Sequence, residues 1–150
     1  MRAVVQRVSS SRVLVGNEIK GEIGRGINVL LGVEDGDQVE DLEYIADKIV
    51  NLRIFEDDNG KMNLSVKDTE GEILAVSQFT LLGDCRKGRR PSFIKAADPE
   101  MAKDYFEKLV NRIKNEHNIG VAKGSFQEHM KVEINNDGPV TMLLDSNKKF

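Results

Sequence analysis

Tryptophan is absent from the sequence, cysteine occurs once, histidine twice and proline three times. The single thiol, Cys85, excludes an internal disulfide. One cysteine and two histidines, His117 and His129, offer no ligand set at zinc spacing, so no metal and no other cofactor is expected. No apolar run approaches the roughly 20 residues of a membrane span. The opening segment breaks its apolar run at Gln6 and Arg7, unlike a signal peptide. These features predict a cytoplasmic protein with no membrane partner. Gly-Lys-Ser/Thr, Gly-x-Gly-x-x-Gly and Gly-x-Ser-x-Gly are all missing, which argues against nucleoside triphosphate, dinucleotide and serine-hydrolase chemistry.

What is present suits one domain over residues 1–150, with 39% apolar and 31% charged residues. A net charge of −3 means that any attraction to nucleic acid must come from local clusters. Alternation predicts strands over residues 2–8, 12–15, 18–23 and 27–33. A helix follows, capped by Asp37 with Glu40 as its capping-box partner, and its apolar stripe runs from Val39 through Leu42, Ala46 and Ile49. Short strands are expected at 52–55 and 61–64, and the strongest strand of the chain at 72–82. A second helix begins at Asp98-Pro99, buries Ala102, Tyr105, Phe106, Leu109 and Ile113, and stops at Gly120. Residues 121–126 are open between strand and loop, and two strands at 130–134 and 140–144 flank a turn at Asn136-Asp137-Gly138-Pro139. The sum is an α+β fold of about seven or eight strands. The sheets are largely antiparallel, joined mostly by turns, with two main helices packed on one side in β/β/α layers.

Three stretches carry possible chemistry. Ser77-Gln78-Phe79-Thr80 puts polar groups where a core strand should stay apolar. Its side chains and frayed backbone either are simply solvated or donate hydrogen bonds to an anionic oxygen. Arg86-Lys87-Gly88-Arg89-Arg90 concentrates cations directly after it, where phosphates could dock. Gly138-Pro139 is either an ordinary hairpin turn or a rigid backbone wedge. Cys85 beside a histidine would be a fourth, cysteine-hydrolase arrangement. A non-catalytic RNA-binding module using residues 86–90 is the alternative to an enzyme.

The pairing of Ser77-Gln78-Phe79-Thr80-Leu81 with Asn136-Asp137-Gly138-Pro139-Val140-Thr141 resembles the D-aminoacyl-tRNA deacylase family. Gln6-Arg7-Val8, Arg53-Ile54-Phe55, Gly60-Lys61-Met62-Asn63-Leu64, Arg90-Pro91-Ser92-Phe93, Gly124-x-Phe126 and Met130 match in the same order along the chain. The resemblance implies a homodimer acting on the 3′ acceptor end of aminoacyl-tRNA. It would hydrolyse the ester of D-amino acids, and of glycine mischarged on alanine tRNA. It implies catalysis around Ser77, Gln78, Phe79 and Thr80, with Thr80 either nucleophile or pocket wall. It implies chiral selection by a cis Gly138-Pro139 reaching into the partner subunit, with Arg7 supporting it and Asn136, Phe126 and Met130 around the substrate. Arg86, Lys87, Arg89 and Arg90 would meet the tRNA. Gln127-Glu128-His129 is more polar than the small residues common in the family.

Overall fold

The architecture is taken from a computed structural model that describes residues 1–149. Eight strands and two α-helices follow the order β1 (Arg2–Val15), β2 (Glu18–Ile23), β3 (Gly26–Gly32), α1 (Val39–Asn51), β4 (Phe55–Glu56), β5 (Met62–Leu64), β6 (Glu72–Ser77), a 3-10 turn (Phe79–Leu82), α2 (Pro99–His117), β7 (Val121–Lys123) and β8 (Lys131–Asp145). The α+β class and the two helices are as the sequence predicts.

β1 organises the molecule. One of its edges pairs antiparallel with β3 over Arg2–Val8 and then with β2 over Ser11–Val15, while the other edge pairs with β8 from end to end. The expected strands 2–8 and 12–15 are therefore one strand. A register shift between Val8 and Ser10 separates its halves. A one-residue bulge moves alternate side chains to the opposite face. Accordingly Ala3 and Val5 point into the core beneath the helices, whereas Val13, of the same parity, joins a second core with Val8.

Helical crossovers are more important than the turn-linked strands suggested. α1 lies in the connection from β3 to β6, and α2 in that from β6 to β7, and both strand pairs are parallel. Both helices cover the same sheet face. Leu42, Ile45 and Ile49 of α1 and Phe106, Leu109 and Ile113 of α2 pack there against Ile27, Val29, Leu31 and Ile73. On the other face the sheet curls until β2 meets β7. A Cβ on Gly21 would lie 2.7 Å from the Lys123 carbonyl oxygen, so only glycine permits that approach. Val8, Val13, Ile23, Leu74 and Val76 fill the curl, with Met130, Val132 and Ile134 against them.

Helix ends follow local chemistry with two exceptions. Asp98 caps α2 as expected, accepting from the backbone N–H groups of Glu100 at 2.9 Å and Met101 at 3.0 Å. That helix stops earlier than Gly120, because Asn118 adopts a left-handed conformation at φ 53°. At α1 the cap is Gln38, not Asp37, and the Asp41 carboxylate accepts from its N–H at 2.8 Å. Asp37 is drawn away to a stronger partner. It binds the buried Met1 ammonium at 2.6 Å and the Glu34 N–H at 2.7 Å. Burial pushes its carboxyl above the usual range, against the opposing pull of that ammonium.

Three further expectations change. The strand expected over 72–82 ends at Ser77, and the chain tightens into the 3-10 turn. The strand expected over 52–55 shrinks to Phe55–Glu56. Most consequentially, Gly138-Pro139 is not a hairpin turn. β8 is continuous from Lys131 to Asp145, with a cis Gly138-Pro139 peptide inside it. Among the described residues no helix is long and apolar enough to cross a membrane.

Candidate active site

From Ile73 to Val76 β6 is apolar and buried, because helices cover one face and the curled sheet the other. Beyond Ser77 the strand runs out of partners. The Gln78 N–H still reaches the Leu31 carbonyl at 2.7 Å, and Leu81 then turns back to the Gln78 carbonyl at 3.2 Å. Between them the N–H groups of Phe79 and Thr80 have no hydrogen-bond partner among the described residues, as expected for the first donors of a helical turn. The Gln78 side-chain amide donates to the Thr80 hydroxyl oxygen. The part of the expected 72–82 strand beyond Ser77 is thus replaced by a turn, in which Gln78 and Thr80 meet.

This break opens a cavity of about 580 Å³. Ser77, Gln78 and Phe79 form one wall, and Phe126, Met130 and Val132 another. Ala96 and Ala97 before α2, with Pro99 and Ala102 in its first turns, form the third. Sequence reading missed these small residues, because Ala102 fits the helix's apolar stripe equally well. The run of small side chains around a helix start was the available signal. Gln127, Glu128 and His129 also line the cavity, so the polar segment is at the site. Thr80 does not line it, and neither histidine is bonded to its hydroxyl among the described residues.

Gly138 and Pro139 lie elsewhere. Gln6 pairs with Thr141 and Val8 with Asn136, so Arg7 alone faces Asp137, Gly138, Pro139 and Val140, which bulge from β8. Arg7, 8% exposed, braces the bulge. Its guanidinium donates to the Asp137 carbonyl at 3.1 Å and to the Ile54 carbonyl at 2.8 Å. Asn136 closes the base. Its carbonyl oxygen accepts from the Val140 N–H at 3.2 Å, and its amide donates to the Thr141 hydroxyl at 2.9 Å. Gly138 and Pro139 are exposed and line no part of the cavity in their own chain. Phe126 and Met130 sit at the cavity, whereas Arg7, Asn136, Gly138 and Pro139 form a separate, outward-facing element.

The basic loop is anchored at its base by paired hydrogen bonds between Asp84 and Ser92, at 2.8 and 3.0 Å. Arg86 forks onto Asp84 at 2.9 and 2.6 Å, and this holds the Asp84 carboxyl well below the usual carboxylate range. Lys87, Arg89 and Arg90 are exposed and make no ion pair among the described residues. Cys85 is exposed and lines a different hollow with Arg2, Asp84 and Lys95. His117 instead faces Asp47 of α1 at 3.8 Å, and His129 lines the cavity, so no cysteine–histidine pair forms. No group of three or more His, Cys, Asp or Glu side chains capable of holding a metal gathers among the described residues.

Residues 4–145 match the family described as D-Tyr-tRNA(Tyr) deacylase. The chain is 66% identical, over 150 residues and the full length of both sequences, to a D-aminoacyl-tRNA deacylase of Natranaerobius thermophilus. Among solved structures it is similar to the c-Myc DNA Unwinding Element Binding Protein, with a TM-score of 0.92 and 44% identity over 97% of this chain and 98% of the other. A probable eukaryotic D-amino acid tRNA deacylase shares the fold at a TM-score of 0.81 and 18% identity, over 95% and 97% of the two chains.

Proposed function

The chain belongs to the D-Tyr-tRNA(Tyr) deacylase family, and from that membership we propose that it hydrolyses the ester joining a D-amino acid, or a glycine mischarged on alanine tRNA, to the 3′ end of tRNA. The observation that carries this reading is the cavity at the end of β6, beside two backbone N–H groups without a partner among the described residues.

Water attacks the ester carbonyl carbon, with the vicinal 2′-hydroxyl of the terminal ribose assisting. The bond to the ribose 3′ oxygen then breaks, releasing the amino acid and a tRNA with a free 3′-hydroxyl. The N–H of Phe79 is the donor available to the oxyanion at the cavity wall, since that of Gln78 is held by Leu31 and Thr80 lies outside the lining. An aminoacyl ester is already activated, so no triad is required. The Thr80 hydroxyl meets the Gln78 amide and no base, which favours a positioning role for Thr80 over a nucleophilic one.

Chirality follows from the bulge on β8. It projects from the surface away from its own cavity, and in a homodimer it would enter the cavity of the partner copy. Gly138 offers no side chain and Pro139 no N–H, so an L-side chain would meet rigid backbone while a D-side chain would turn away. Glycine, with nothing to exclude, would pass.

Deacylation of D-Tyr-tRNA, L-Tyr-tRNA and Gly-tRNA by the purified protein tests the reading. Hydrolysis of the D and glycyl esters with the L ester spared supports it. Binding without turnover would replace it with an RNA-binding role. Within it, Thr80→Ala should lower kcat/KM by less than about tenfold, roughly 1.4 kcal/mol. Near-total loss in a folded variant would restore Thr80 as nucleophile.

A further inference from the structure

At the end of the 3-10 turn lies an open hollow of about 730 Å³ that shares no lining residue with the cavity. Four cations line it, Arg2, Arg86, Lys95 and Lys149, against one carboxylate, Asp84. With the buried Asp145 and Glu34 that pair with Arg2 and Lys149 counted, the cluster carries one more cation than carboxylate, on a chain whose net charge is −3.

Two of these cations are held from below. Arg2 binds Asp145 through Nε at 3.1 Å, and Lys149 reaches Glu34 at 3.4 Å. Asp145 and Glu34 are 3% and 8% exposed, so they fix the cationic heads while contributing little surface of their own. Lys95 is exposed and has no carboxylate within ion-pair distance among the described residues. Lys95 is thus the lining cation left without a carboxylate partner among the described residues, and an anion carrying several acceptor oxygens would supply one.

Arg2 also connects the hollow to the candidate active site. Its Nη1 donates to the Leu81 carbonyl at 3.0 Å, within the turn that bears Phe79 and Thr80. A 3-10 turn rises about 2 Å per residue, so Leu82 at the hollow lies only about 6 Å along the axis from Phe79 at the cavity. A polynucleotide whose 3′ end enters the cavity would therefore bring its backbone within reach of the hollow.

We propose that this hollow is a phosphate-docking site for the tRNA backbone, with Lys95 and Arg2 as its principal donors and the exposed loop cations 87–90 at its margin. This rests on the deacylase reading for the identity of the polyanion. Phosphate contacts position a nucleic acid without reading its sequence, so the site would serve any acceptor end of the right shape.

Cys85 supplies a probe, since it lies in the hollow and is the chain's only thiol. Excess uncharged tRNA should slow alkylation of Cys85 by iodoacetamide at least about fivefold in the wild-type protein. Independently, D-Tyr-tRNA is compared with a D-tyrosyl ester of adenosine, which ends at the terminal nucleoside. Lys95→Glu should lower the ratio of their kcat/KM values about tenfold. It should also weaken the salt dependence of the tRNA reaction by about one unit of slope, as expected for one lost phosphate contact. Lys95→Arg should restore most of both. An unchanged ratio in a folded Lys95→Glu protein, or Cys85 alkylation indifferent to tRNA, would overturn the site. Failure of the deacylase reading is seen separately, as a wild-type protein that hydrolyses neither ester, and Cys85 protection still tests docking in that case.

Discussion

Gly138→Ala is expected to reduce the preference for D- over L-aminoacyl esters by at least about tenfold, or 1.4 kcal/mol of discrimination. The residue adopts φ +129°, a backbone conformation that side chains rarely tolerate. A Cβ there would sit 2.8 Å from Val140 Cγ2 and 3.0 Å from Arg7 Nη2. The first of these neighbours is core-facing and the second is braced by two carbonyls, so neither yields cheaply. The bulge must shift, and under the proposed mechanism the partner's cavity then loses the surface that rejects L-side chains. Parallel rates on D-Tyr-tRNA and L-Tyr-tRNA provide the measurement. A folded variant with unchanged discrimination would remove the chiral role from the bulge.

Asp37→Asn should cost about 3–5 kcal/mol of stability, the usual consequence of stripping one partner from a buried ion pair. The Met1 ammonium is 0% exposed and rests between Asp37 at 2.6 Å and the Ser146 hydroxyl at 2.7 Å. Without the carboxylate a buried positive charge remains, and one serine oxygen does not compensate for it. Tyr105 of α2 donates to the Asp37 carbonyl at 3.1 Å, so the disturbance would reach the second helix. For a protein of this size each kcal/mol corresponds to about 2–4 °C in Tm, so a fall of roughly 6 °C or more is expected. A loss below about 1 kcal/mol in denaturant unfolding would show that water takes over the pairing.

Much of this was legible in the sequence, where local chemistry decides the outcome. The start of α2 follows from Asp98-Pro99, and the α1 stripe from helical periodicity. What was not legible is set by partners distant in sequence. Asp37 looks like a cap until the Met1 ammonium, at the far end of β1, claims it. Gly138-Pro139 looks like a turn because nothing local reveals that β1 holds both flanks of it in one strand. No glycine or proline interrupts residues 72–82, yet the sheet supplies hydrogen-bond partners only as far as Leu31, so the strand ends where its neighbour does. At the site, Ser77 to Phe79, Phe126 and Met130 were recognisable, while the Ala96–Ala102 wall was hidden because small apolar residues read equally well as helix core.

The pairing of β1 with β8 bears on how the chain acquires its shape. Arg2 and Asp145 are joined across a sequence separation of 143 residues. On a ribosome, β1 emerges first and can zip to β2 and β3 at once, but its remaining edge must wait for nearly the whole chain. Until then that edge is an open template for wrong partners, and closing so long a loop late carries the entropic cost typical of slow, high-contact-order folding. The bulge that bears Gly138 and Pro139 sits within this last strand. The element proposed to guard chirality is thus assembled only when β8 docks, so a partly folded chain would leave the cavity of its partner unguarded.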